Sequence, residues 1–156
     1  MSVLRDPELK KLLLGLQHVG FVVDDLDQAL TQWQRLYGLD PASIRRLPPA
    51  GADLSQVPAR FALFSLAGQE IELIEPRGEP YLGLMRALKS GQAGINHLAW
   101  RVSDIEAALN TLAKLGVTPG YVTPSGIVQF GNKKLVYLDP ATTDGHLIEL
   151  IEIADA

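Results

Sequence analysis

The chain contains no cysteine, which removes disulfides, thiolate metal ligands and a cysteine nucleophile in one step and fits a reducing compartment. Positive charge is not in surplus. Fourteen lysines and arginines against 18 acids leave a net charge of −4, the wrong sign to gather a polyanion, so nucleic acid is not expected as the main partner. No stretch approaches the ~20 apolar residues of a membrane span. Met1 to Gly15 mixes Arg5, Asp6, Glu8, Lys10 and Lys11 among leucines, where a signal peptide needs an unbroken apolar segment. Glycine-rich phosphate loops, serine elbows and zinc-finger spacings are also missing. The expectation is a cytoplasmic protein with no membrane partner. Its 156 residues, 47% hydrophobic and 21% charged, suffice for one well-buried core.

Histidine is scarce as well, three residues in all, yet two of them occupy matching places. Ile71-Glu72-Leu73-Ile74-Glu75 recurs letter for letter as Ile148-Glu149-Leu150-Ile151-Glu152, and each copy lies downstream of a strand-like run carrying one histidine, His18 or His97. The chain therefore reads as one unit built twice. In Leu16 to Val23 a period of two sets Val19, Phe21 and Val23 on one face and His18, Gly20 and Val22 on the other. Ile95 to Val102 repeats this, with Leu98, Trp100 and Val102 toward a helix and His97 away from it.

Each strand is followed by a helix. Asp24 or Asp25 caps a stripe of Leu26, Ala29, Leu30, Trp33, Leu36 and Tyr37 that Gly38 ends. Ser103-Asp104-Ile105-Glu106 reads as a capping box ahead of Ile105, Ala108, Leu109, Leu112 and Leu115. Trp33 and Trp100 fall on these apolar faces and read as core. Extended segments are expected near Pro41 to Leu47, Ala59 to Ala67 and Gln69 to Pro76, with Ala67-Gly68-Gln69 as a hairpin connection. In the second half they are expected near Val117 to Thr123, Lys133 to Asp139 and Gly145 to Ile153.

The fold class is α+β: two tandem βαβββ modules, which make one fold because a unit of this size exposes too much sheet to stand alone. The boundaries are residues 1–15 for an N-terminal helical extension and 16–153 for a single domain. Within that domain lie module one at 16–76, a linker helix at 77–93 and module two at 94–153. The extension, Asp6-Pro7-Glu8 with Leu9, Leu12 and Leu13, is expected to pack on a partner subunit; a helix around Leu82 to Leu88 belongs to the linker. Loops Pro48 to Pro58 and Thr123 to Asn132 are expected to shape a pocket entrance.

Alternation places Glu72 and Glu149 opposite the helix-facing Ile71, Leu73, Ile148 and Leu150, so His18, Glu72, His97 and Glu149 all project from faces the helices leave uncovered. Any one of these residues alone is commonly a solvated or hydrogen-bonded side chain. As a duplicated set with matching facing they predict a shared metal site. Two neutral imidazoles and two carboxylates suit a six-coordinate divalent ion (zinc, nickel, cobalt, manganese or iron) with two positions left for water or substrate oxygens. Such an ion acts as a Lewis acid on a carbonyl whose neighbouring carbon loses a proton, and a nearby carboxylate must take that proton. Glu75 and Glu152 face the other way and are expected at the rim or surface. His146, in the turn before the last strand, is expected to meet solvent or substrate. Arg86, Lys89, Arg101, Lys133 and Lys134 are the candidates for an anion-binding rim, though a basic pair is most often a solvated face.

His18 in Gln17-His18-Val19-Gly20, Glu72 in Ile71 to Pro76, His97 in Gly94 to Val102 and Glu149 in Gly145 to Leu150 together resemble the vicinal oxygen chelate superfamily over nearly everything from Leu16 to Ile153. The resemblance implies paired βαβββ modules in a cupped, eight-stranded mixed sheet around a metal held by His18, Glu72, His97 and Glu149. Within the superfamily three segments look most like the methylmalonyl-CoA epimerases: the linker helix after Pro76, Gly94 to Ile105, and Lys134 to Pro140 before Leu147-Ile148-Glu149-Leu150. This implies a metal-dependent epimerase or isomerase that works through an enolate of a small substrate, an acyl-CoA such as methylmalonyl-CoA, with Glu149 and Glu72 as the acid/base pair. Arg60 to Leu66, where some epimerases carry an additional glutamate, has none. A glyoxalase-type lyase or isomerase on a small 2-oxo or thiol-adduct substrate uses the same quartet. Iron-dependent ring cleavage uses two histidines and one carboxylate, and Glu72 argues against it. The non-enzyme alternative is a small-molecule binding or resistance protein. A homodimer is the expected assembly.

Overall fold

A computed structural model of the chain describes residues 6–86 and 94–154. It forms two units, a central one over His18–Asn96 and a terminal one combining Met1–Gln17 with His97–Ala156. The eight strands belong to a mixed sheet whose order runs β2 (Arg45–Leu47), β3 (Ala59–Leu66), β4 (Gln69–Pro76) and β1 (Leu13–Val22) for the first four and β5 (Gly94–Val102), β8 (Ile148–Ile153), β7 (Lys133–Tyr137) and β6 (Val128–Phe130) for the second. This is the α+β arrangement of two βαβββ modules expected from the sequence. No helix among the described residues is long and apolar enough to cross a membrane.

In the central unit, the His18–Val22 part of β1 (Leu13–Val22) runs parallel to β4 (Gln69–Pro76), with Val19 opposite Ile71 and Gly20 opposite Glu72. Between them come α2 (Leu26–Tyr37), β2 (Arg45–Leu47) and β3 (Ala59–Leu66). The β3–β4 hairpin turns on Ala67 and Gly68, with φ of 51° and 82°, the left-handed pair that a two-residue connection requires. The Asp25 side chain accepts from the Gln28 amide at 2.9 Å to cap α2, and Gly38 at φ 65° ends it. Leu26 and Leu30 then bury against Ala62, Phe64, Ile71 and Leu73. Trp33 is packed edge-on to Phe21 and Phe64, as its place on the apolar stripe predicts.

In the terminal unit, the His97–Val102 part of β5 (Gly94–Val102) runs parallel to β8 (Ile148–Ile153), with Ala99 opposite Glu149. β6 (Val128–Phe130) and β7 (Lys133–Tyr137) continue the sheet antiparallel, and α4 (Ile105–Lys114) covers one face. Val102, Ile105, Ala108, Leu112, Val136 and Leu150 form the core there. The linker's α3 is described as Leu82–Arg86; the remainder expected toward Leu88 lies outside the described residues.

Three expectations are corrected. The N-terminal helix α1 (Pro7–Leu12) does not wait for a partner: Leu9 is 2% exposed, inside the core of its own chain's α4. The cap of α4 is Asp104, whose carboxylate accepts from the Ala107 amide at 2.9 Å, while the Ser103 amide donates to Leu12 O at 2.9 Å. Val117 to Thr123 forms no strand. Pro119 has no N–H to give a ladder and makes one bridge to Leu138, and Tyr121 turns to φ 65°. The ladder is supplied instead by Val128–Phe130, from the segment read as loop, which hairpins onto β7 through Gly131 and Asn132.

A fourth correction explains the repeated pentapeptide. Glu75 and Glu152 are not surface residues that merely complete the motif: Glu75 Oε2 accepts from the Leu26 amide at 2.9 Å, and Glu152 Oε2 accepts from the Ile105 amide at 2.8 Å. Each carboxylate satisfies the first orphan amide of the helix that follows β1 or β5, where the helix dipole also favours negative charge. A cation from the adjacent strand completes each clamp. Arg60, opposite Glu75, bridges Glu75 at 2.9 Å and Asp27 at 2.7 Å; Lys134, opposite Glu152, lies 3.6 Å from Glu152 and 3.7 Å from Glu106. Lys134 is thereby occupied in the clamp rather than free for an anion-binding rim; Lys89 and the Arg86 side chain lie outside the described residues.

Glu75, 7% exposed, carries the heavier load. Glu75→Ala is expected to lower the unfolding free energy by about 2–4 kcal/mol, because it leaves a helix amide and Arg60 without their shared acceptor. Glu152→Ala, in the wetter clamp, is expected to lose about 1 kcal/mol; urea midpoints of the two variants check the order. Hydrogen bonds from Arg60, then from Arg46, hold the Asp27 carboxyl below the usual carboxylate range. A carboxyl depressed in the folded state contributes stability that is present above its unfolded value near 4 and is lost as pH falls through the lower folded value. Asp27→Asn is therefore expected to flatten the acid limb of a stability-against-pH curve below about pH 4. The variant is expected to be slightly less stable than the parent at neutral pH and to converge with it in acid, and the difference is small because Asp27 is largely solvated.

Candidate metal centre

The parallel register of β1 with β4 decides what His18 meets. Gly20 is opposite Glu72, and paired residues share a face, so His18, two residues back on the same face, lies diagonal to Glu72. Glycine at the directly opposed position leaves room for the carboxylate to lean toward the imidazole. His18 Nε2 is 3.3 Å from Glu72 Oε1, and the histidine is 3% exposed. In the terminal unit the same register recurs with a small residue again across from the acid: Ala99 opposes Glu149, and His97 Nε2 is 3.2 Å from Glu149 Oε2 with both residues buried.

The structure thus pairs the four sequence-derived candidates two by two, one histidine with one glutamate in each unit. All four offer a ligand atom to a divalent ion. The separation within each pair also suits that role. Two donors each about 2.0–2.2 Å from one ion and at roughly a right angle lie about 3 Å apart, close to both observed distances. Imidazole nitrogen with carboxylate oxygen is a donor set for first-row divalent metals generally and does not select among them.

Two neighbours were missed from the sequence. Glu70 shares the face of Glu72 by alternation, and its Oε1 lies 4.0 Å from His18 Nδ1, an electrostatic neighbour rather than a hydrogen bond. Alternation alone would have marked it. Tyr137, directly opposite Glu149, sets its ring edge-on to His97 with centroids 5.3 Å apart. Its amide donates to the buried Thr123 hydroxyl at 2.8 Å, which fixes the strand behind the ring. The matching place in the central unit, opposite Glu72, is Leu63. His146, as expected, is exposed in its turn, with Nδ1 3.3 Å from Thr143 O.

Histidine–carboxylate pairs repeated in two βαβββ modules define a class of metal-chelating folds. Residues 17–137 match the glyoxalase/bleomycin resistance protein/dioxygenase superfamily, and the chain belongs to it. Among curated proteins it is similar to the ethylmalonyl-CoA/methylmalonyl-CoA epimerase of Cereibacter sphaeroides, with 30% identity over 142 residues that cover 88% of this chain and 97% of that one. It is also similar to the human mitochondrial methylmalonyl-CoA epimerase, 28% identical across 86% of this chain and 72% of the relative. The solved methylmalonyl-CoA epimerase of Mycobacterium tuberculosis superposes with a TM-score of 0.69 at 29% identity, covering 92% of this chain and 91% of that one.

Ala99→Leu tests the need for a small residue across from the carboxylate. Ala99 is fully buried, so the larger side chain is expected to displace Glu149 and cost about 1–3 kcal/mol in urea unfolding. A conservative swap at the exposed Leu36 is expected to cost little by the same measurement.

Proposed function

We propose that the chain is a metal-dependent epimerase of a small acyl-CoA such as methylmalonyl-CoA, with His18, Glu72, His97 and Glu149 as ligands of one divalent ion. The observation that carries the reading is the duplicated histidine–glutamate pair at the same sheet register in both modules, with His18, His97 and Glu149 buried and Glu72 half-buried. The epimerase relatives supply the substrate class. When bound, the divalent ion supplies Lewis acidity to a thioester carbonyl oxygen, which makes the hydrogen on the neighbouring carbon removable near neutral pH.

The chain's own residues do the rest. His18 and His97 set their Nε2 atoms 3.3 and 3.2 Å from the carboxylate oxygens of Glu72 and Glu149, so that each histidine and its glutamate would hold the ion side by side. Epimerisation needs a proton taken from carbon 2 on one face and returned on the other. Glu72 and Glu149, from different strands, are the two carboxylates assigned to this exchange, each working by proximity to a fixed carbon. No net bond is made, and the proton count is unchanged. The small-residue positions Gly20 and Ala99 keep both acids unobstructed by the residue across the strand. Residues 16–153 act as one catalytic domain in this reading, in a cytoplasmic homodimer; the lack of cysteine is consistent with that compartment.

The test is isotope exchange. Metal-loaded protein incubated with methylmalonyl-CoA in deuterated water is expected to place deuterium at carbon 2, read by mass spectrometry. Glu149→Ala is expected to lower the exchange rate by at least ~100-fold and to release metal on gel filtration. No exchange with metal bound removes the epimerase reading, and turnover of a hemithioacetal instead moves it to glyoxalase-type chemistry. Unchanged metal retention in Glu149→Ala contradicts its place among the ligands.

A further inference from the structure

The terminal unit carries a second hollow, on the opposite side of its sheet from His97 and Glu149. Trp100 on β5, and Ile148 and Leu150 on β8, sit at odd spacings from the site residue of their own strand, so their side chains turn toward α4 and join its core. Between this face, α4 and the start of β1 lies a cavity of about 370 Å³. Leu112, Leu138 and Leu150 line it and are no more than 3% exposed, which makes them its floor. Leu13, Trp100 and Ile148 are half-buried and form its walls. The exposed Asp144 marks the opening.

A packed interior leaves few voids larger than one water molecule. An engineered apolar cavity of about 150 Å³ already admits benzene, and small-molecule sites begin near about 300 Å³. Water gains little in a hollow floored by leucines, because each molecule needs two or more polar partners. The polar groups lie at the opening instead. The Thr142 hydroxyl donates to Asp139 O at 2.8 Å and the Thr143 hydroxyl donates to main-chain carbonyls, so both are committed within the turn. The Asp144 carboxylate makes no hydrogen bond or ion pair with a described residue, and no other charged residue is among those lining the cavity. Its backbone is fixed on either side: the Gly145 amide donates to Pro140 O at 2.8 Å and the His146 amide to Thr143 O at 3.2 Å. A ligand entering past Asp144 meets one negative charge, which favours a cationic head group and disfavours an anionic one.

We propose that this cavity is a binding site for a small amphipathic cation, an aryl or branched alkyl body with one ammonium group on a short arm, whose body fills the hollow while the ammonium meets Asp144. The site is separate from the metal centre. Ile148 and Leu150 flank Glu149 on β8, so the occupant packs on the reverse side of the strand that carries that carboxylate, and an acyl-CoA, being an anion, has the wrong charge for it. The competing account makes Asp144 a turn former only. Its φ of 57° is a left-handed conformation that aspartate and asparagine adopt more readily than most residues, and that role predicts no preference for charge in a ligand.

The experiment uses three probes that share a body and differ in head group: phenylbutylamine, phenylbutanol and phenylbutyrate. Each is titrated into the full-length chain by calorimetry and followed by Trp100 emission in a Trp33→Phe background, so neither metal nor turnover is needed. The amine is expected to bind with Kd below about 1 mM, at least ~10-fold tighter than the butyrate, and to shift Trp100 emission to the blue. Asp144→Asn keeps a residue suited to the turn and is expected to bring the amine within about twofold of the alcohol. Leu112→Phe fills the floor and is expected to weaken all three probes at least ~10-fold; where that variant does not fold, Asp144→Asn decides alone. No binding of the amine overturns the proposal, as does butyrate bound as tightly as the amine, an amine preference that survives Asp144→Asn, or undiminished binding in a folded Leu112→Phe. Trp100 emission that shifts on dilution of the protein without any probe gives the cavity to a second copy of the chain and overturns it too.

Discussion

The carboxylate that closes each repeated pentapeptide, Glu75 or Glu152, binds the first amide of the helix that follows the paired parallel strand. This contact joins three elements distant in sequence: β4 to the start of α2 and so to the end of β1, and β8 to the start of α4 and so to the end of β5. A parallel pair has no hairpin to fix its register. With the clamp made at Glu75, the pairing that follows is Gly20 with Glu72; with it made at Glu152, it is Ala99 with Glu149. A slip of one residue would send Glu72 or Glu149 to the helix face and an isoleucine or leucine to the site. The chemistry of the first glutamate in each repeat therefore depends on the structural work of the last.

That dependence accounts for the identity of the two pentapeptides. Ile71 and Leu73 must face α2 and Leu150 must face α4, the first glutamate must face the histidine, and the final glutamate must reach a helix amide. Every position has an assigned side. The partners of the clamps are freer, since a cation of either kind and an acid of either length meet the need: Arg60 with Asp27 in one unit, Lys134 with Glu106 in the other. The central clamp is drier and adds Arg77 at 3.1 Å from Glu75, so the two copies of one device differ in strength.

The sequence made the elements legible where periodicity and turn chemistry agree. Gln69–Pro76, the Ala67-Gly68 hairpin, the Gly38 stop and the facing of His18 and His97 all follow from a period of two or from a residue that tolerates positive φ. What it left obscure was long-range. Nothing local says that Glu75 reaches an amide 49 positions away, so alternation alone sends it to the surface. Val117 to Thr123 has strand-like composition, but its proline cannot donate to a ladder, and the short run Val128–Phe130, placed at an edge, needs too little apolar character to stand out from a loop. Leu9 is an ordinary leucine of a short amphipathic helix until α4 is known to lie beside it. The histidines and first glutamates were legible for a different reason: duplication marks positions where side chains do the same work twice.

Divergence between the copies is informative in the opposite sense. Across the strand from Glu149 stands Tyr137, edge-on to His97 and anchored from behind by Thr123, whereas across from Glu72 stands Leu63, with Arg45 one strand further out. The histidine–glutamate positions are alike in the two units while their flanks are not. Under the proposed function the likeness of the pairs and the difference of their flanks have separate reasons: ligation would ask for equivalent donors, whereas a chiral substrate would present different groups to each. The rigid aromatic flank suits an acid that must stay in register with its histidine.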